Sequence, residues 1–149
     1  MGERTTFIGH RKFFYPEEVR DRLCKAVEGQ IKNGCKKFTM GAHGDFDQMA
    51  LSVCKEKRRK YPDIEIEVVL TSYRSVYTED GFGSYQDVKT VLYDVESEHF
   101  KRRITVSNEK MIYSCATIVC YVDEKKKKSG AKQALQYARR KGLKIITVF

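Results

Sequence analysis

Residues 36–50 read KKFTMGAHGDFDQMA. The run from Lys37 to Met40 suits a short strand. From there Phe46, Met49, Ala50, Val53 and Cys54 recur at helical spacing, to about Lys60. Between the two lie Gly41, Ala42, His43, Gly44, Asp45 and Asp47. Glycine lets a backbone approach a ligand closely, and a helix start offers unpaired N–H groups and a positive dipole end. Two readings stay open. Either Asp45 or Asp47 caps the helix, or one of them accepts hydrogen bonds from a ribose or base while the loop holds a phosphate. The spacing is neither G-x-G-x-x-G nor that of a Walker loop.

Upstream, Thr5 to Ile8 reads as a strand that stops at Gly9. Pro16, Glu17 and Glu18 suit the first turn of a helix. Its apolar face is Val19, Leu23, Ala26, Val27 and Ile31, and Asn33-Gly34 stops it. Downstream, Tyr61-Pro62-Asp63 breaks the chain before a strand at Glu65 to Leu70. Residues 71–88 lack a period and make a long loop. A fourth strand is expected around Thr90 to Tyr93, and Thr105 or Ser107 caps a helix burying Met111, Ile112 and Cys115. Thr117 to Val122 is a nearly all-apolar strand. Ser129 to Lys141 is a helix with Ala131, Ala134, Leu135 and Ala138 inward, stopped by Gly142, and Lys144 to Phe149 is the last strand. Such alternation predicts an α/β fold around a parallel sheet. The continuous apolar runs suit strands covered on both faces. Without repeat or linker, residues 1–149 read as one domain.

The bulk composition narrows the class. The 149 residues are 41% hydrophobic and 33% charged, ordinary for a globular chain with a real core. No apolar run is long enough to span a bilayer, and MGERTTFIGHRKFF lacks the apolar centre of a signal peptide. Five cysteines, odd in number and without C-x-x-C spacing, read as reduced thiols packed as small hydrophobes. A cytoplasmic protein without a metal site, cofactor or membrane partner is expected. The net charge of +9 suits anionic partners. Much of it lies in KEKRRK at 55–60 and KKKK at 125–128, each a solvated face or a binding patch.

In open parallel sheets, ligands bind beyond the carboxyl ends of the strands. The loops there are Gly9-His10-Arg11, Gly41 to Asp47, Thr71 to Arg74 (with Ser72 and Tyr73), and Asp123 to Ala131. Arg11 offers a planar fork of donors for phosphate. Ser129-Gly130-Ala131 repeats the strand-to-helix glycine arrangement, either as a phosphate loop or as a serine cap on a loop.

FIGHR at 7–11, GAHGDFDQMA at 41–50, YPDIEIEVVL at 61–70 and SGAKQALQYARRKGLKII at 129–146 occur in an order that resembles the SLOG superfamily. Those proteins are Rossmann-like nucleotide binders that include the Lonely Guy phosphoribohydrolases and DprA. The likeness is nearest to the small YpsA-like branch, with F-T-G-H-R, G-G-x-x-G-F-D and G-G-[AT] motifs. Gly9, His10 and Arg11 match the first; Gly41, Gly44, Phe46 and Asp47 the second; Ser129, Gly130 and Ala131 the third; Tyr137-Ala138 matches a following Y-A pair. VSNEKM at 106–111 keeps Asn108 and Met111 of an R-N-x-x-M motif. The departures are Met40 for a glycine, an extra Asp45, Ser129 for a glycine and Ser107 for the arginine. Gln133 stands near the place of the Lonely Guy glutamate and cannot act as a carboxylate.

The resemblance implies a Rossmann-like three-layer sandwich with a mostly parallel central sheet. It also implies a nucleotide or nucleotide-derived ligand and a sensor or regulatory role. The glycine loops would take the phosphate, Arg11 and Lys110 would add charge, His43 or Tyr73 would stack on the base, and Asp47 would meet the sugar. A nucleoside 5'-monophosphate N-glycosidase using Glu109 or Asp123 is the second reading. A nucleic-acid-binding module ranks third, because no series of aromatics interleaved with basic residues stands out. Homodimerisation is expected by analogy with the fold.

Overall fold

A computed structural model describes residues 3–11, 17–42, 44–70, 85–92, 100–125 and 129–149. Among them the order is β1 (Arg4–Gly9), α1 (Glu17–Lys32), β2 (Lys37–Met40), α2 (Asp45–Lys60), β3 (Glu65–Leu70), β4 (Lys89–Leu92), α3 (Phe100–Tyr113), β5 (Thr117–Tyr121), α4 (Gly130–Arg140) and β6 (Lys144–Thr147). The strands form one sheet in the order β4-β3-β2-β1-β5-β6, parallel throughout. This is the Rossmann-like three-layer sandwich.

Alternation along the strands divides the core in two. Phe7, Phe38, Met40, Ile66, Val68 and Val119 meet Val19, Leu23 and Val27 of α1 and Phe46, Ala50 and Val53 of α2. The opposite-facing Ile8, Val69, Ile118 and Cys120 meet Met111 and Ile112 of α3 and Ala131, Ala134, Leu135 and Ala138 of α4. The i, i+3, i+4, i+7 spacing of those last four gives α4 a narrow apolar stripe and a polar outer face.

Two glycines end helices as their sequence positions suggest. Gly34 and Gly142 have φ of 96° and 78°, the left-handed region where a Cβ is strained. In α1 the Cys35 N–H donates to Gln30 O at 2.9 Å and Gly34 N–H to Ile31 O at 3.0 Å; in α4 Leu143 donates to Ala138 at 3.1 Å and Gly142 to Arg139 at 3.1 Å. Each pair is a Schellman motif that satisfies carbonyls the helix leaves over.

The start of α3 differs from expectation. Neither Thr105 nor Ser107 is a cap, because the helix begins at Phe100. Ser107 lies mid-helix, 3% exposed, with its hydroxyl unpartnered among the described residues. Capping propensity places a serine at a helix start, whereas here Ser107 is a buried position in the middle of the helix. The expected strand at 90–93 runs from Lys89 to Leu92, and Tyr93 lies outside the described residues, as do Pro16 and most of the 71–88 loop.

The cysteines are free thiols, four buried and Cys24 half-buried. Burial pushes the Cys115 and Cys120 thiols up to about 11 and raises that of Cys54 further. They are therefore protonated packing groups at neutral pH. No described helix is long and apolar enough to cross a membrane.

Candidate ligand-binding site

The chain winds outward from β1 through β2 and β3 to β4, then returns to add β5 and β6 on the other side of β1. The reversal falls between β1 and β5. Their carboxyl ends diverge into crossovers on opposite faces, leaving the crevice where ligands of such sheets sit.

Three of the four expected loops meet there. His10, only 4% exposed, accepts a 2.8 Å hydrogen bond at Nε2 from the Asp123 N–H. Its ring also stands edge-on to Tyr121 at 6.1 Å. An accepting Nε2 carries no proton, so this nitrogen does not donate to a phosphate; it bridges the tips of β1 and β5. The Arg11 carbonyl accepts from the Asp45 N–H at 2.9 Å, which ties the first loop to the head of α2.

The glycines of these loops prove unlike one another. A Cβ at Gly9 would overlap the Phe46 side chain, and one at Gly44 would stand 2.6 Å from Arg11 Cα. One at Gly41 would lie 3.1 Å from Asp47 Oδ2. Gly9 and Gly44 are thus small because the protein's own atoms occupy the space. The N-cap of α2 is Gly44 itself, with extended backbone and no side-chain cap bond. Asp45 and Asp47 are first-turn acids that complement the helix dipole rather than caps.

At α4 the arrangement opens. Ser129 caps the helix, its hydroxyl accepting from Lys132 N–H at 3.0 Å. The Gly130 and Ala131 amides belong to the first turn and have no partner within the helix. A Cβ at Gly130 would meet nothing within 4 Å. From Gly130 a crevice of ≈ 180 Å³ runs between α3 and α4, lined by Thr105, Asn108, Glu109, Gln133, Gln136 and Arg140 among others.

Asn108 and Gly130, far apart in sequence, therefore share one crevice. Lys110 does not join them; it lines a neighbouring hollow with Tyr113 and Tyr137. Asp123 spends a carboxylate oxygen on the Lys125 N–H at 3.0 Å, a local turn. Ala42 is half-buried beside Gly41. His43, Ser72 and Tyr73 lie outside the described residues, as do 126–128 of the lysine run.

No protein-family model matches the chain, and no curated protein matches it. Thr105, Gln133, Gln136 and Arg140 were not among the expected binding residues. Their i, i+3, i+7 spacing from Gln133 to Arg140 marks one face of α4, but only the packing of α3 beside it turns that face into a wall.

The other basic run, 55–60, is largely neutralised within the protein. Lys57 and Lys60 pair with Glu28 at 3.2 and 3.0 Å, and Lys55 and Arg58 pair with Asp87 at 3.0 and 2.7 Å. Glu28 also accepts from the Tyr61 hydroxyl at 2.8 Å. Hydrogen bonds from Tyr61, Lys60 and Lys57 hold its carboxyl down at about 2.

Proposed function

We propose that the chain binds a nucleotide or nucleotide-derived ligand at the head of α4, as a sensor or regulatory protein. The observation that carries this reading is the open space at Gly130, in the first turn of the helix that follows β5, the strand at which the sheet order reverses beside β1. A phosphate there accepts from backbone N–H groups and meets the positive end of the helix dipole. The polar crevice supplies amide and hydroxyl groups of Asn108, Gln133 and Thr105 for a sugar or base edge. Its ≈ 180 Å³ is below the roughly 300 Å³ of a drug-sized pocket, so it holds one polar end of such a ligand. The likeness of the loop motifs to the SLOG superfamily supports the same reading, and with it a cytoplasmic homodimer.

A thermal-shift screen of nucleotides, cyclic nucleotides and NAD-derived compounds tests it. A ligand at a hundred times its Kd stabilises by about 2.7 kcal/mol, a rise of roughly 5–10 °C in Tm for a domain of this size. Gly130→Asp should remove the shift while keeping the fold, since an acid in a helix's first turn suits the dipole but repels phosphate. A shift retained in that variant moves the ligand elsewhere, and no shift with any compound removes the reading.

One observation favours a second reading. Glu109 is a carboxylate on the crevice wall beside Asn108, where Gln133 supplies none. A nucleoside-monophosphate N-glycosidase would use Glu109 to activate water. Release of free base by the wild type, lost in Glu109→Gln with binding retained, would establish it.

A further inference from the structure

The outer surface at the C-terminal ends of α3 and α4 has a different chemistry. Tyr113 is 73% exposed. With Tyr137, Val106, Glu109 and Lys110 it lines a hollow of ≈ 300 Å³. The Lys141 ammonium lies 5.8 Å from the Tyr113 ring centroid and 5.5 Å from that of Tyr137, and the Arg140 guanidinium lies 5.8 Å from the latter. Lys110, Arg140 and Lys141 are exposed, and none forms an ion pair among the described residues. The α2 run is the reverse case, with most of its cations held by Glu28 and Asp87.

We infer that this surface binds single-stranded nucleic acid, with a base stacked in the Tyr113–Tyr137 hollow and phosphates on Lys110, Arg140 and Lys141. Cations without acidic partners among the described residues, beside an exposed Tyr113 and a half-buried Tyr137, offer what a single strand needs: charge for the backbone and a π-face for an unstacked base. A duplex hides its base faces. An acidic polypeptide would meet the cations but leave the rings unused, and Glu109 on the hollow's wall would repel its carboxylates. Toward a base, the same Glu109 is an acceptor for an exocyclic amino group. This hollow adjoins the crevice that runs from the head of α4, with Glu109 on the wall of both, but binding in it does not depend on a nucleotide at Gly130.

The test is fluorescence anisotropy of the full chain with a labelled strand of about a dozen deoxyadenosines, against its duplex and polyglutamate, over a salt series. Saturable binding is expected, preferring the strand over the duplex. Three phosphate contacts at roughly −0.7 each give a log–log salt slope of about −2. Tyr113→Ala should weaken binding roughly tenfold without changing that slope, since it removes stacking and no charge. Lys141→Glu should weaken binding and flatten the slope by about 0.7, whereas Arg59→Glu on α2 should do neither. Both sites of substitution are exposed at Tyr113 and Lys141, so the fold is kept. Absence of binding, equal affinity for the duplex or polyglutamate, or an unaffected Tyr113→Ala variant would each overturn the inference.

Discussion

Gly44 and Gly130 both stand at the head of a helix that follows a parallel strand, Gly44 as the N-cap of α2 and Gly130 as the first residue of α4. At Gly44 the Arg11 backbone fills the space a side chain would take, and the next amide is bonded to the Arg11 carbonyl. At Gly130 nothing lies within 4 Å. The charges divide the same way between the layers. On the α1–α2 side, basic residues are clasped by Glu28, Glu56 and Asp87. On the α3–α4 side, Lys110, Arg140 and Lys141 stand around tyrosine rings without acidic partners among the described residues. The α3–α4 side also pairs Arg139 with Glu124 at 2.8 Å, so what stands open there is the tyrosine-lined patch and not the whole layer. A glycine between a strand and a helix thus marks a close approach, and only the third dimension says whether the approaching group is the protein or a ligand.

The contrast breaks first at Gly9. An added methyl would overlap Phe46, which is 1% exposed and closely packed, so Phe46 must move within the core. Gly9→Ala should cost roughly 3 kcal/mol, the upper part of the usual range for overpacking, read as a lower urea midpoint at constant m. A double variant with Phe46→Leu should lose less than the sum of the singles, because the contact is shared. If Gly9→Ala is neutral, the self-filled description of this loop fails. Gly44→Ala comes next, at about 2 kcal/mol. Its clash is with Arg11 backbone at 2.6 Å, but Arg11 is exposed and has more room to shift.

The sequence made the layers legible and their use obscure. The β-branched and apolar runs of β1 and β5, the helical stripe of α4 and the glycine stops at Gly34 and Gly142 are local signals, and all appear where the residues place them. The identity of the group facing Gly9 is not local, since Phe46 arrives from the far end of a crossover. The position of His10 just after β1 suggests a ligand-binding loop, yet the Asp123 N–H, 113 residues away, makes its Nε2 an internal acceptor. Likewise, Tyr113 and Lys141 belong to different helices, and their pairing needs α3 and α4 to lie side by side.

The ionic clasp on the α1–α2 side yields a smaller effect. The Glu28 carboxyl sits at about 2 against an ordinary 4.5, chiefly through Tyr61 and then Lys60 and Lys57. A carboxyl lowered on folding contributes stability that is complete above its unfolded value and lost as pH falls through the folded one. The stability difference between the wild type and Glu28→Gln should therefore be constant above about pH 5 and shrink as pH falls toward about 2. Added salt should shrink it at neutral pH too, since the group is exposed to screening. A difference independent of both pH and salt would mean that the clasp of Lys57 and Lys60 contributes nothing beyond packing.

The smallest expected effect is the sharpest test of the open layer. Gly130→Ala adds a methyl into empty space at a first-turn position, where alanine is also the better helix former. Stability should be unchanged or rise by up to about 0.5 kcal/mol, the opposite sign from Gly9 and Gly44. Any cost to this substitution should therefore appear only with ligand present, as a smaller thermal shift at equal nucleotide concentration. A methyl beside the Gly130 amide keeps the N–H but narrows the approach to it, so affinity falls while the fold does not. Loss of stability in the apo protein would show that Gly130, like Gly44, is small for the protein's own sake.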